Sequence, residues 1–145
     1  MNELAHYYSR ELSREEMDIL FNKLTRKWDI SNHYWYPLYD TKACPVIAFD
    51  SDAFEEHFGF NNLRIILNKL DDEVIEIREL KSKGYIVRLN TFEPSYEGVG
   101  EGYWFDFSMD WIIYCSHEGS ITFGGDWIIN KVKDMWKDWD RHLFM

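Results

Sequence analysis

The chain of 145 residues carries 16 basic and 26 acidic side chains, which gives a formal net charge of −10. This charge argues against non-specific binding to nucleic acid or to an anionic membrane, because both depend on Lys and Arg to displace counterions or to meet lipid phosphates. Hydrophobic residues make up 46% and aromatic residues 18% of the chain. The composition is typical of a folded protein, and the length fits one domain over residues 1–145.

The first predicted element is an amphipathic helix over residues 13–28. Ser13 and Glu16 have the spacing of a capping box, in which each side chain satisfies the other residue's backbone N–H. The apolar residues that follow recur at helical spacing: Met17, Leu20, Phe21, Leu24 and Trp28. A shorter helical piece is expected over residues 3–9. Pro37 and its aromatic neighbours predict an irregular segment over residues 33–39.

Short elements of both kinds follow. Residues 46–49 are predicted to be extended, and Asp50 to Asp52 supply caps for a brief helix that Gly59 ends. A second helix is expected over residues 63–70, after Asn61 and Asn62. Two β-rich stretches, residues 74–80 and 85–92, flank a short loop that contains Gly84, so they are predicted to form a hairpin.

The last third of the chain predicts a meander and a closing helix. Three Gly and one Pro within residues 93–102 indicate a long loop. Three strands are expected over residues 103–108, 111–117 and 120–123. A final helix is predicted after Gly124, Gly125 and Asp126, with one apolar face: Ile128, Val132, Met135, Trp136 and Trp139. The predicted fold is therefore α+β, with N-terminal helices, an antiparallel sheet of about five strands and a C-terminal amphipathic helix.

The distribution of charge gives the main functional expectation. Between Arg88 and Lys131 there is no Lys or Arg, although the stretch holds seven acids and many aromatic residues. An acidic face with aromatic edges is typical of a surface that binds a basic partner. The residues predicted to contact this partner are Glu93, Glu97, Glu101, Tyr103, Trp104, Asp106, Asp110 and Glu118. A second acidic cluster precedes the first hairpin: Asp71, Asp72, Glu73, Glu76 and Glu79. The alternative is that the acids serve only solubility.

Catalytic chemistry is a weaker hypothesis. Cys115 and His117 lie two residues apart on one face of a predicted strand, too far apart for a ready hydrogen bond, so a buried Cys and a strand end are expected instead. Asp106 and Asp110 could be read as the two catalytic carboxylates of a glycosidase. Acids are so frequent in this stretch, however, that some pair will have a suitable separation by chance. The alternative function is thus a small enzyme or ligand-binding domain that uses carboxylates near the Gly-rich loop.

No cofactor and no metal site are expected. The five histidines are scattered, and none of their spacings places two imidazoles on one helical turn. Cys44 and Cys115 lack the paired spacing of a zinc site and are expected to be reduced thiols. Residues 1–3 carry no positive charge of the kind that opens an export signal, and no apolar run is long enough to span a membrane. We therefore expect a cytoplasmic protein that binds no membrane.

Residues 103–107 predict an aromatic strand that contains Asp, residues 111–114 a strand that ends in a polar turn at 116–119, and residues 123–129 a short strand followed by the last helix. This pattern resembles the SUKH superfamily, also called the cell-wall-assembly or glucan-synthesis-regulator family. It implies a non-enzymatic α+β protein, and many bacterial members are thought to be immunity proteins that neutralise a cognate toxin, often a nuclease. The expected partner is thus a basic protein, such as a cognate toxin. The chain is expected to be a monomer or a weak homodimer that associates through Trp136 and Trp139.

Overall fold

A computed structural model describes residues 8–30, 45–68, 73–78, 83–96 and 100–144. The described chain forms an antiparallel sheet of seven strands with helices on both faces. The strands are β1 (Tyr8–Glu11), β2 (Val46–Asp50), β3 (Glu73–Arg78), β4 (Lys83–Arg88), β5 (Gly102–Phe105), β6 (Ile112–Cys115) and β7 (Ser120–Gly124). Their order across the sheet is β1-β4-β3-β5-β6-β7-β2.

Four α-helices lie within the described residues. They are α1 (Arg14–Trp28), α2 (Ser51–Ala53), α3 (Phe60–Leu67) and α4 (Asp126–Met135). The short α2 continues directly into a π-helical turn, Phe54–Phe58, and two 3-10 turns occupy Leu89–Thr91 and Trp139–Arg141. The α+β class predicted from the sequence is confirmed, although the sheet has seven strands rather than about five.

Helix α1 is the element that the sequence predicted best. Ser13 accepts a hydrogen bond from the Glu16 backbone N–H at 3.1 Å, and the Glu16 carboxylate accepts from the Ser13 backbone N–H at 2.9 Å. The capping box therefore forms as predicted. Leu20 and Leu24 are buried against the sheet, whereas Phe21 remains exposed. At the end of the helix, Trp28 donates from Nε1 to the Met109 carbonyl at 3.0 Å and so joins α1 to the turn between β5 and β6.

The two faces of the sheet carry separate hydrophobic clusters. One cluster joins α1 to alternate residues of the central strands: Ile75, Ile77, Ile86, Tyr103, Phe105, Ile112 and Tyr114. The other joins the π-helical turn, α3 and α4 to the opposite residues: Phe49, Val74, Val87, Trp104, Ile113, Cys115, Ile121 and Phe123. Because both faces are covered, β3, β5, β6 and β7 read as nearly continuous buried runs.

Several boundaries differ from the predictions. The helical piece expected over residues 3–9 is not found at its described end, because residues 8–11 form edge strand β1 against β4. Residues 46–50 form β2, which pairs with β7 at the other edge. Helix α3 begins at residue 60 rather than 63, and its N-cap is Gly59, not an Asn. The predicted irregular segment over residues 33–39 lies outside the described residues.

The meander and the closing helix follow the prediction. Strands β5, β6 and β7 pair in succession, and β3 pairs with β4 as a hairpin. Helix α4 buries Ile128 and Val132 as predicted. Met135, by contrast, is exposed, and Trp139 lies beyond the helix in a 3-10 turn.

Candidate functional site

The candidate site is a small acidic cleft where four segments meet. The start of α2, the π-helical turn, residues 94–96 and the turn between β6 and β7 enclose a cavity of about 140 Å³. We use the name acidic cleft for this cavity with its lining acids Asp52 and Glu55 and the two adjoining acids Glu101 and Glu118. Its described lining includes no Lys or Arg: Ser51, Asp52, Phe54, Glu55, Phe60, Pro94, Ser95, Tyr96, Cys115, Ser116, His117, Gly119, Ser120 and Ile121.

The turn between β6 and β7 positions His117 at the cleft. Gly119 has a φ of 87°, which favours glycine, and it closes the turn. The Ser116 and Ser120 hydroxyls lie 2.7 Å apart at its base. The Ser51 backbone N–H donates to the Gly119 carbonyl at 2.8 Å and ties the turn to the start of α2. This backbone hydrogen bond therefore links the β6–β7 turn to α2 on two sides of the cleft.

His117 stands between two carboxylates. Its Nδ1 lies 2.5 Å from the Glu101 Oε2, and its Nε2 lies 2.8 Å from the Glu118 Oε2. The Glu101 Oε2 also accepts from the His117 backbone N–H at 3.1 Å. Each ring nitrogen of His117 therefore faces a carboxylate oxygen, and only the imidazolium form could donate to both at once. The sequence did not predict this cluster, because Glu101 precedes β5 and lies 16 residues from His117 along the chain.

Cys115 lies at the floor of the cleft and is buried. Burial raises the pKa of its thiol above the usual range, so the sulfur stays protonated. The thiolate is the nucleophilic and metal-binding form, and a neutral buried thiol supplies neither function. The expected buried role of Cys115 is therefore confirmed. Cys44 lies outside the described residues.

A buried ionic network lies beside the cleft, and the sequence did not predict it. The Glu76 side chain is fully buried and accepts from Trp104 Nε1 at 2.8 Å, from the Tyr8 hydroxyl at 2.5 Å and from Arg78 Nε at 3.2 Å. Arg78 also lies over the Trp104 ring, 4.7 Å from its centroid. Glu76 belongs to the second acidic cluster of the sequence, but it is buried and contributes no surface charge. The overlooked signal is a Glu and an Arg two residues apart in an apolar strand, since such residues share one face of a sheet.

Arg78 also shapes one wall of the cleft. Its Nη1 donates to the carbonyls of Ser95 and Gly100, at 2.9 and 2.6 Å. These two carbonyls flank residues 97–99, which lie outside the described part of the chain. Arg78 therefore fixes both described ends of the Gly-rich loop, next to Tyr96 in the cleft lining.

Three of the predicted contact residues are buried, which contradicts their predicted role at the surface. Tyr103, Trp104 and Asp106 have exposed fractions of 5%, 0% and 6%, so they offer almost no surface to a partner. Asp106 accepts from Trp111 Nε1 at 2.9 Å, from the Ser108 backbone N–H at 2.9 Å and from the Ser108 hydroxyl. These contacts fold the turn after β5. The two aromatic residues fill opposite faces of the sheet.

The other predicted contact residues do not share one face. In the β5–β6 hairpin, Gly102 pairs with Cys115 and Phe105 with Ile112. Glu101 and Glu118 therefore lie at one end of the hairpin and Asp110 at the other, roughly 15 Å away along the strands. Glu93 bonds to Arg64 at 2.7 Å. Glu97 lies outside the described residues, so the single acidic face expected from the sequence is divided.

A second groove has mixed charge. Its volume is about 530 Å³, and it lies between one side of α3 and the end of the β3–β4 hairpin where Glu73 pairs with Arg88. Its lining residues are Ser9, Asn61, Arg64, Ile65, Asn68, Glu73, Arg88, Leu89 and Asn90. The Arg64 side chain is engaged by the Phe92 carbonyl and by Glu93. The groove therefore has less concentrated charge than the acidic cleft.

Comparison with known proteins adds no relative. No protein-family model, no curated protein and no solved structure matches the chain. Within the described ranges, none of the helices has the length and apolar character needed to cross a membrane.

Proposed function

We propose that this protein is a non-enzymatic binding module, a bacterial immunity or regulatory protein of the SUKH type, that acts in the cytoplasm. In this proposal the acidic cleft docks a basic partner protein, such as a toxin nuclease. The observation that carries the proposal is the convergence of Asp52, Glu55, Glu101 and Glu118 around a cavity whose described lining holds no Lys or Arg.

The size of the cleft supports a protein partner. Pockets for small-molecule ligands usually measure about 300–1,000 Å³, and the cleft measures about 140 Å³. A cavity of this size suits one protruding side chain better than a whole substrate. Tyr96 is 39% exposed at the cleft, and an aromatic ring attracts the cation of a Lys or Arg side chain.

Charge supports the choice of partner. Opposite potentials across an interface speed association and disfavour wrong partners. A nuclease binds an anionic substrate with a basic surface, and an acidic protein can occupy that surface in place of the substrate. The net charge of −10 would add long-range attraction to the local contacts of the cleft.

The first test compares two variants with equal net charge. One carries Asp52→Asn, Glu55→Gln and Glu118→Gln in the cleft. The matched control carries Asp110→Asn, Asp126→Asn and Asp134→Asn, which neutralise three exposed acids elsewhere. Wild-type protein captures partners from lysate of its source organism at low salt, and a salt step releases them for mass spectrometry.

The association rate of a captured basic protein is then measured with each variant over a range of salt concentrations. We expect added salt to slow wild-type association, and the cleft variant to associate more slowly than the control, because the cleft supplies the local contacts. If no basic protein is released, the proposal fails. If association slowed equally in both variants, net charge would explain the effect, and the proposed role of the cleft in binding would be rejected.

A further inference from the structure

We propose that His117 and Glu118, with Glu101 as the residue that orients the His117 ring, form a site for a divalent transition-metal ion, with zinc as the best match. One ligand atom from each of these residues lies within 4.8 Å of the others. An imidazole nitrogen and carboxylate oxygens are a ligand set that zinc uses. This inference concerns the ion alone and does not depend on the proposed protein partner.

The distances at His117 favour coordination through Nε2. The His117 Nε2 and the Glu118 Oε2 are 2.8 Å apart. Two ligand atoms of a tetrahedral zinc ion, each about 2.0–2.1 Å from the metal, lie roughly 3.3 Å apart. An adjustment of about half an ångström therefore admits the ion. Both side chains are partly exposed, at 49% and 32%, so they are able to make that adjustment.

Glu101 supplies the orienting contact that metal-binding histidines usually have. A ligating imidazole generally donates its other N–H to a carboxylate, which fixes the ring and raises its basicity. Here the Glu101 Oε2 accepts from both Nδ1 and the backbone N–H of His117. The Glu101 side chain is only 12% exposed, so this support is held by the fold rather than by a mobile surface side chain.

The electrostatic setting also favours a cation. Glu101 and Glu118 place one carboxylate at each ring nitrogen of His117. Asp52 and Glu55 line the adjoining cavity. The proposed protein ligands are the imidazole nitrogen of His117 and a carboxylate oxygen of Glu118, with water in the remaining positions.

The test is a calorimetric titration of the whole protein with zinc chloride. We expect one saturable equivalent in wild-type protein and loss of that equivalent in His117→Asn. Glu101→Gln should weaken binding by about 10–100-fold, as loss of an orienting carboxylate does at other sites. His57→Asn is the matched control, since His57 is exposed and stacks on His142 instead. It should keep the wild-type affinity.

Imidazole nitrogen NMR gives an independent readout. Zinc should shift the His117 Nε2 resonance and leave Nδ1 as the protonated nitrogen. Circular dichroism of each variant checks that the fold is kept. Absence of a saturable equivalent in wild-type protein, or equal binding by wild-type and His117→Asn, would overturn the proposal and leave an adventitious ion only.

Discussion

The buried carboxylates stabilise the fold, whereas the carboxylates of the acidic cleft remain accessible to a partner. Glu76 and Asp106 are enclosed by donors from Tyr8, Trp104, Trp111, Arg78 and Ser108, and they hold strands and turns together. Asp52, Glu55 and Glu118 are exposed around a cavity. A count of acids therefore overstates the acidic surface, because burial decides which carboxylates are available to a partner.

The largest loss of stability is expected when the buried Glu76 is neutralised. Glu76→Gln keeps the size of the side chain but leaves Arg78 charged and buried without its counter-ion. Breaking a buried pair in this way costs about 3–5 kcal/mol. We expect a loss of that size in the free energy of unfolding, measured by urea denaturation with circular dichroism.

The control lies on the same strand. Glu73 is exposed, and Glu73→Gln should change the free energy of unfolding by less than about 0.5 kcal/mol. A loss below about 1 kcal/mol in Glu76→Gln would contradict the structural role assigned to the network.

The second largest effect is expected at Asp106. Asp106→Asn replaces one acceptor oxygen with an NH₂ group, which faces either the Trp111 indole N–H or the Ser108 donors. A buried donor without an acceptor costs about 1–3 kcal/mol, so we expect a loss of about 2 kcal/mol in urea denaturation. Asp110→Asn, at an exposed position of the same turn, should be nearly neutral. Equal losses in the two variants would reject this distinction.

The sequence predicted what local chemistry determines. The capping box of α1 involves residues three apart, and the β5–β6–β7 meander joins strands that are neighbours in the chain. Edge strand β1 was missed because Tyr8–Glu11 is polar and mostly exposed, and it is specified only by pairing with the distant β4.

The candidate site was only partly predictable for a similar reason. Glu101 and Glu118 were named as contact residues, but their meeting at His117 depends on the register of β5 against β6. The sequence predicts Asp52 only as part of a helix cap and predicts no role for Glu55, whereas the contact between Ser51 and Gly119 brings both residues to the cleft. From the sequence, Tyr103 and Trp104 fit a partner contact and a core position equally well. The structure places both in the core because the sheet is covered on both faces, which no local pattern reveals.

A smaller effect is expected from Glu16, an acid that is exposed yet paired. The hydrogen bond from Arg10 and then the Ser13 backbone N–H lower the pKa of Glu16 to about 2 from 4.5. The lowered pKa means that the carboxylate stabilises the fold above about pH 4.5, and that this contribution is lost as the pH falls through about 2. We expect Glu16→Gln to be less stable than wild type at pH 6 and to converge with it near pH 2.

Thermal unfolding followed at pH 2, 4 and 6 measures that convergence. Glu15→Gln is the matched control in the same first turn, and it lacks the described bonds of Glu16 to Arg10 and Ser13. A difference between Glu16→Gln and wild type that stays constant with pH would show that the lowered pKa does not contribute to stability.

The smallest effect on stability is expected in the acidic cleft itself. It tests directly whether the cleft acids, unlike the buried acids, are dispensable for stability. Glu118→Gln removes one charge from a partly exposed pair with His117. Exposed ion pairs contribute about 0–1 kcal/mol, and neighbouring acids of the cleft repel the charge that is removed. We expect a change below about 1 kcal/mol in urea denaturation, beside a measurable loss in the binding of zinc. If Glu118→Gln instead destabilised the fold as much as Glu76→Gln, the cleft acids would be structural like the buried ones, and the division between the two groups would fail.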